Sequence, residues 1–324
     1  MKKIRNIVFL AVCGLAFSFT FYQKFPEAKI TNGIIHARIY LPDADSGYYR
    51  STRFDWSGVI PGIEYKGHTF CGQWFDKYDP TINDAIMGPV ESFAPLGYDE
   101  AKADGHFTQI GVGLLARPDD KMYSPFRYYK ILNTGEWSIK KESEQVDFSQ
   151  KLDKGEYPYE YKKTVQLVKG KPEMDLIHSL RNTGHRTIET EVYDHNLFVI
   201  DSQSVGPDCV IKFPFNIQVE KQGARGIDSI AKIEDKEITF QKRVTKREQA
   251  FAVLYGYDNN SKDYDIRIEN HKIGAGIKIT CDRPLSKLVF WASATTFCPE
   301  PYIHIKIKPG EVFNWKIKYL FYVL

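Results

Sequence analysis

The sequence predicts an all-β protein, built as a large antiparallel β-sandwich. Aromatic residues make up 14% of the chain, with 20 Tyr and 21 Phe against only 4 Met, and rings pack well on pleated strands. Short apolar or alternating runs recur with turn residues between them, and helical periodicity is scarce. Because one sheet of so many strands would leave a face wet or curl on itself, we expect two facing sheets.

The predicted strands follow one another from residue 34 to residue 321. They cover residues 34–41, 56–65, 110–116, 161–167, 175–180, 187–193, 250–257, 264–270, 277–281, 287–292, 302–307 and 313–321. Residues 142–156 are rich in charge, and we expect them to form an exposed connection. The sequence shows no internal repeat and no Pro- or Ser-rich linker, so residues 19–324 are predicted to form a single domain.

The first 18 residues are typical of a secretory signal peptide. Lys2, Lys3 and Arg5 precede an apolar stretch over residues 7–16, which ends in a cleavage-type site with small residues at 16 and 18. The apolar run 7–22 is 16 residues long, short of the roughly 20 that span a bilayer, so an uncleaved anchor is the less favoured alternative. We therefore expect an exported protein, periplasmic or secreted, with no membrane insertion after signal removal.

The charge balance argues against nucleic acid as a partner. The formal charge is +3, and without the three basic residues of the signal segment 41 basic residues face 41 acidic ones. A neutral body lacks the positive field on which nucleic-acid binding depends. A small or uncharged ligand fits this composition better.

The remaining motifs exclude several common activities. No Walker loop, H-E-x-x-H or G-x-S-x-G motif is present. Gly111 and Gly113 are interpreted as a strand glycine pair where another backbone passes close. Cys71, Cys209, Cys281 and Cys298 form no C-x-x-C pair, and both disulfides and buried free thiols remain open. Residues 258–265 are polar but do not have the spacing of a known calcium loop, so no metal site is predicted.

Two segments carry more specific signals. In the first, His195 and Asn196 follow Tyr193 between strand-like runs. In the second, Glu300 lies between Pro299 and Pro301, and a Pro-Gly-Glu turn at 309–311 follows before the last strand. Together the two segments resemble the galactose mutarotase-like superfamily, which includes aldose 1-epimerases and hexose-phosphate epimerases. The resemblance extends over residues 31–322 and implies a β-supersandwich.

The resemblance also implies a reaction, the interconversion of sugar anomers without a cofactor. One group takes the proton of the C1 hydroxyl, another protonates the ring oxygen, and the opened sugar recloses from its other face. By match to the family motifs, Glu300 is the base and His195 the acid, and both residue types suit general acid–base work near neutral pH. The expected partner is a monosaccharide or an oligosaccharide.

Further residues are candidates for holding the sugar. Guanidinium, carboxylate and amide groups can bind hydroxyls, while aromatic rings pack on the apolar face of a sugar. The substrate-binding candidates are Arg53, Asp55, His68, Trp74, Glu91, His106, Tyr193 and Asn196.

The chain departs from the family pattern at one place. Aldose epimerases carry a second, earlier His beside a glycine, and the corresponding residues 110–117 contain no His. His68 or His106 could replace it in space. A non-catalytic carbohydrate-binding protein is therefore the alternative hypothesis, followed by a polysaccharide lyase or glycoside hydrolase. This lyase or hydrolase would need a Tyr or a second carboxylate, for instance Glu91 or Asp55, opposed to Glu300 across the bond to be cut.

Overall fold

The computed structural model describes residues 25–220 and 222–324, and almost all regular structure in them is strand. The predicted signal peptide lies outside the described residues. The strands are β1 (Glu27–Thr31), β2 (Ile35–Tyr40), β3 (Val59–Tyr65), β4 (His68–Thr69), β5 (Gly88–Phe93), β6 (His106–Gln109), β7 (Gly113–Ala116), β8 (Ile131–Asn133), β9 (Glu136–Lys141), β10 (Gln145–Leu152), β11 (Tyr159–Leu167), β12 (Glu173–Asn182), β13 (Ile188–Leu197), β14 (Cys209–Lys212), β15 (Gln218–Val219), β16 (Ala231–Glu234), β17 (Glu237–Phe240), β18 (Ala250–Tyr255), β19 (Asp265–Asn270), β20 (Ala275–Cys281), β21 (Lys287–Ala292), β22 (Phe297–Ile307) and β23 (Val312–Val323).

A single 3₁₀ turn, Ser261–Asp263, is the one helical element that the structure describes. It lies in the polar segment 258–265, which turns the chain between β18 and β19. Among the described residues, no helix has the length and apolar character that a membrane span requires.

Two large antiparallel sheets form the sandwich. The ten-stranded sheet has the order β16-β17-β14-β19-β20-β23-β12-β11-β10-β9, and the six-stranded sheet has the order β15-β18-β21-β22-β13-β5. Smaller sheets, β1-β2-β3-β4 and β6-β7-β8, lie beside them. Alternate residues of both large sheets are apolar and join one buried core. The predicted all-β sandwich is confirmed.

The strand predictions are close to the observed elements, but the expected connection over residues 142–156 is wrong. Most of it is β10, in which Val146, Phe148 and Leu152 are buried on one face. Asp147, Ser149 and Lys151 alternate with this buried face and point the other way, and the strand pairs with β9 and β11. The charged residues lie on that second face. The charge-rich composition therefore indicated a loop, although the residues alternate with the period of two that is typical of a strand.

The glycine pair has the predicted environment at Gly113. Its φ is +141°, and a Cβ at this position would lie 2.0 Å from the carbonyl oxygen of Asn133 on the neighbouring strand. A side chain would therefore meet the backbone that it must pair with, and only glycine fits.

The structure shows whether the four cysteines of the predicted domain form disulfides. Within the described residues, Cys71, Cys209, Cys281 and Cys298 are all free and buried. The buried-thiol alternative therefore describes the chain.

Candidate functional site

The candidate site lies on the outer face of the six-stranded sheet, the face turned away from the ten-stranded sheet. Successive side chains of a strand point to opposite faces. On β13 the residues Val192, Asp194 and Asn196 therefore point inward, and Tyr193 and His195 point outward. The same alternation applies to β22 and β21. Their outward side chains lie beside Tyr193 and His195.

The outward residues of β22 and β21 complete the floor of a cleft. Glu300 and Tyr302 lie on β22, and Trp291 lies on β21. The rings of Tyr193 and Tyr302 stack with centroids 4.6 Å apart. Trp291 stands perpendicular to the His195 ring at 5.9 Å.

Loops from the first half of the chain form the walls. They contribute Arg53, Trp74, Asp84, Tyr123 and Phe126 to a cavity of about 660 Å³. This volume is in the range of ordinary small-molecule sites. Aromatic side chains line much of it, with charged groups at a few points, a composition that suits a sugar.

His195 and Glu300 meet at the floor of the cleft. His195 Nε2 lies 3.4 Å from Glu300 Oε1, and the two side chains are only 7% and 10% exposed. The ladder between β13 and β22 ends at Tyr193 opposite Tyr302, and the same register continued by two residues places His195 opposite Glu300. The β-strand pairing therefore brings together two residues that are 105 positions apart in the sequence.

The prolines beside Glu300 explain why the ladder ends there. Pro299 and Pro301 have no N–H, so β22 cannot donate to β13 at these positions. Asn196 adds a side-chain contact between the two strands, because its Nδ2 donates to the carbonyl of Pro299 at 3.0 Å. Asn196 thus fixes the strand that carries Glu300, from the side opposite to the cleft.

Burial changes the proton affinity of both groups. It raises the pKa of Glu300 to about 7, against a smaller opposing effect of Arg53. Burial also lowers the pKa of His195 well below its usual range, and the charge of Arg53 adds to the effect. Just below pH 7 the pair therefore holds one proton, and these shifts favour its resting on Glu300.

Arg53 is the cation that most affects the pKa values of this pair. It forms an ion pair with Asp84, and its Nη2 donates to the hydroxyl of Tyr193 at 3.0 Å. Its guanidinium carbon lies 4.8 Å from the ring centre of Phe126. Arg53 is therefore held from three sides with its charge directed at the cleft.

The other ring nitrogen of His195 contacts a thiol. Nδ1 lies 2.8 Å from Cys298 Sγ, and the ligand-type atoms of His195, Cys298 and Glu300 all lie within 4.8 Å of one another. A metal bound to one ring nitrogen lies about 2 Å from it in the ring plane. Since Cys298 and Glu300 approach opposite nitrogens, the observed arrangement does not allow one ion to bind all three.

Of the predicted sugar-binding residues, Arg53, Trp74 and Tyr193 line the cleft with His195 and Glu300. Asp55, Glu91 and Asn196 do not. They are almost completely buried between or beside the sheets, because they alternate with, or turn away from, the outward positions. His68 instead pairs with Asp201 at 2.7 Å on the small N-terminal sheet.

The earlier histidine of the family has no counterpart in the cleft. His106 is exposed at the start of β6 and lines a different, smaller cavity. At residues 110–117, Val112 and Leu115 are completely buried. Among the described residues that line the cleft, His195 is the only histidine.

The interior residues form a polar cluster beneath the site. Lys163 on β11 contacts Glu91 on β5, and His178 Nε2 lies 2.6 Å from the second oxygen of Glu91. Asp55 Oδ2 lies 3.9 Å from Lys163 Nζ and accepts a hydrogen bond from Tyr161 at 3.0 Å. The cluster thus joins the two large sheets through charged groups that solvent does not reach.

The pKa values of the carboxyl groups in this cluster depend on the ion pair between Lys163 and Glu91. Burial alone would raise the pKa of Glu91, but Lys163 and His178 reverse the effect and lower it. Burial, with the neighbouring Glu91 charge, raises the pKa of Asp194 well above its usual range. These shifts favour a protonated Asp194 beside an ionised Glu91, and the hydroxyl of Tyr319 donates to Asp194 Oδ2.

Several cleft residues were absent from the sequence prediction. Trp291 and Tyr302 were within predicted strands, and their outward position follows from the period of two once His195 and Glu300 are aligned. Asp84, Tyr123 and Phe126 lie in irregular segments, for which the sequence offers no periodicity. Cys298 was noted only as a thiol.

The fold is similar to several solved structures. One is a galactose mutarotase related enzyme from Lactobacillus acidophilus, with TM-score 0.55 and 14% identity, covering 91% of this chain and 97% of that chain. Another is a galactose mutarotase-like protein from Clostridium acetobutylicum, with TM-score 0.52 and 14% identity, covering 93% and 100%. A third is an aldose epimerase homologue from Caenorhabditis elegans, with TM-score 0.53 and 13% identity, covering 92% and 99%.

No protein-family model matches the sequence, and no curated protein matches it either. The similarity to solved structures, at high probability over nine tenths of the chain, bears on architecture. It confirms the fold that the His-Asn and Pro-Glu-Pro segments indicated. The chain therefore has the fold of the galactose mutarotase-like proteins.

Proposed function

We propose that the cleft binds an aldose and interconverts its anomers by general acid–base catalysis. The observation that carries this proposal is the contact between His195 Nε2 and Glu300 Oε1 at 3.4 Å on the floor of an aromatic cleft. A pair of titratable groups with shifted pKa values in the main cleft is typical of a catalytic site.

The reaction needs one proton acceptor and one donor. When the C1 hydroxyl loses its proton, the C1–O5 bond breaks, C1 becomes a carbonyl carbon, and O5 takes up a proton. Rotation about the C1–C2 bond then presents the other face of the carbonyl, and O5 adds to it while both protons return. No electrons are exchanged with a cofactor, so side chains suffice.

The shared proton gives the pair both roles. By resemblance Glu300 is the base and His195 the acid, which requires the proton on His195. Transfer of the resting proton from Glu300 to Nε2 across their contact produces this form. Because both side chains are nearly buried, small changes in the bound sugar can move the proton between them.

The aromatic residues supply the binding surface. Trp291, Tyr302 and Trp74 offer ring faces or edges beside the acid–base pair. A sugar presents apolar C–H faces that pack on such rings, and its hydroxyls can reach Arg53 and Asp84. The substrate in this proposal is a monosaccharide or the end of an oligosaccharide.

The test is the rate of anomer exchange with freshly dissolved sugars. Galactose, glucose, rhamnose, xylose and a uronic acid are followed by polarimetry or exchange NMR, with the protein and with its His195→Asn variant. We expect acceleration with at least one sugar and its loss in the variant. Acceleration that survives in His195→Asn would contradict the assignment.

The pH profile tests the shared proton. The pair is active with one proton and inactive when it loses that proton, so the rate is expected to fall as the pH rises through about 7, the pKa of Glu300. Because the pKa of His195 is lowered, the second proton binds only at acidic pH, and the rate should stay level from pH 6.5 to mildly acidic values. Polarimetry in a series of buffers of different pH measures the rate of anomer exchange. A rate that increases above pH 7 would contradict the shared-proton form.

A second candidate function is carbohydrate binding without turnover. The specific observation in its favour is that His195 is the only histidine among the described cleft residues. Binding of a sugar without any acceleration would support it. The lyase or hydrolase alternative loses its two named partners, because Glu91 and Asp55 are buried away from the cleft.

We also propose that the protein is exported, on the basis of residues 1–18. The mass of the protein recovered from the cell tests this. A mass that corresponds to the loss of those residues supports export, and an intact protein recovered from the cytoplasmic fraction contradicts it.

A further inference from the structure

The thiol of Cys298 lies at a position that the proposed reaction does not use directly. It is completely buried, on the same face of β22 as Glu300 and behind the His195 ring as seen from the cleft. A substrate cannot reach it, so it is not a nucleophile. Its contact is with His195 Nδ1 at 2.8 Å, on the side of the ring opposite to Glu300.

A second contact of the sulfur determines which atom donates the hydrogen bond between Cys298 and His195. Cys298 Sγ lies 3.7 Å from the carbonyl oxygen of Pro299, and only the S–H can donate in that contact. Burial raises the pKa of the thiol well above its usual range, so the sulfur keeps its proton. With the S–H directed at Pro299, a sulfur lone pair faces His195, and Nδ1–H is the donor.

We propose that Cys298 is a positioning residue that holds the neutral His195 ring in the form protonated at Nδ1, leaving Nε2 free to exchange a proton at the cleft. This inference rests on the proposed function and deepens it. The resulting chain runs from Glu300 through Nε2 and Nδ1 of His195 to the sulfur, and from the S–H to the Pro299 carbonyl.

A thiol differs from the usual partner of a catalytic histidine. A carboxylate at Nδ1 would stabilise the imidazolium and raise the pKa of the ring. A neutral thiol selects the tautomer without adding charge. The other charged or titratable groups that face the ring are Glu300 on β22, Tyr193 on β13 and Arg53 from the loop before β3.

The direct test is the tautomer of His195 in the full chain. ¹⁵N NMR of histidine-labelled protein at pH 6, where Glu300 keeps its proton and the His195 ring is neutral, distinguishes the two ring nitrogens, and the His195→Asn variant identifies the His195 signals. We expect Nδ1 to carry the proton in the wild-type protein. A ring protonated at Nε2 would overturn the proposal, and this measurement needs no variant at Cys298.

Variants at Cys298 test the consequence for turnover. Cys298→Ala removes the acceptor, so the Nε2–H form should increase, and kcat should fall about tenfold, the equivalent of one hydrogen bond, with KM within twofold. Cys298→Ser keeps a hydroxyl that can accept from Nδ1 and should restore the tautomer and most of kcat. Cys71→Ala removes another buried thiol, outside the cleft, and should change neither.

These readouts separate the proposal from the proposed function. If the wild-type protein accelerates no sugar but His195 is protonated at Nδ1 only while Cys298 is present, the function fails and the tautomer assignment stands. If Cys298→Ala turns over like the wild type with an unchanged tautomer, the positioning role is contradicted while the function stands.

Discussion

Glu300→Gln is expected to lower the acceleration of anomer exchange by roughly a hundredfold or more, as the loss of a general base or acid does. The amide has the shape of the carboxyl group, so the contact with His195 and the packing on β22 should persist. It can neither take up nor release a proton near neutral pH, and the pair loses its exchangeable proton. Initial rates by polarimetry, together with circular dichroism of the folded variant, measure the effect.

A matched control lies on the neighbouring strand. Glu189 on β13 is exposed and pairs with Lys306 and His304 far from the cleft floor. Glu189→Gln removes the same charge and should keep the wild-type rate. If both variants turn over alike, Glu300 is not part of the acid–base pair.

Lys163→Met is expected to destabilise the protein by about 3–5 kcal/mol, because it leaves the ionised Glu91 without its cation between the sheets. The Lys163 side chain is completely buried, and that of Glu91 is 1% exposed. Urea unfolding followed by intrinsic fluorescence measures the free energy of unfolding. The neighbouring Lys162 points to solvent, and Lys162→Met should change stability by no more than about 0.5 kcal/mol.

A second variant separates the charge effect from simple loss of packing. In Lys163→Met with Glu91→Gln the isolated charge is gone, so most of the lost stability should return. If the double variant is as unstable as the single one, the loss comes from the shape of the side chain and not from an unpaired carboxylate.

The sequence allowed the fold and the central pair to be predicted for one physical reason. Strand periodicity is local, so alternating runs such as 175–180 or 302–307 could be read directly, within larger strands Glu173–Asn182 and Phe297–Ile307. Strands β5, β9 and β14 lie outside the predicted runs, and β10 was taken for a connection because charged residues occupy the outward positions of that strand and resemble a loop by composition.

The assignment of individual polar residues depended on information that is not local. Tyr193 and His195 differ from Asp194 and Asn196 only by the face on which they lie, and the face is determined by pairing with β5 and β22. A motif shows that such residues are close in sequence but not which of them face the same cavity. The loop residues Asp84 and Phe126 depend on how distant segments fold over the sheet, and no pattern of spacing encodes that.

The segment 192–197 has a further consequence for the evolution of this chain. All six residues are buried, with both faces of the strand occupied by side chains that have separate tasks. No position in it is free to accumulate neutral substitutions, so changes there must be compensated on β5, β22 or β23. Under the proposed function, a homologue that acts on a different sugar is therefore expected to keep this strand and to vary its loops, where new side chains reach the cleft without disturbing the interior.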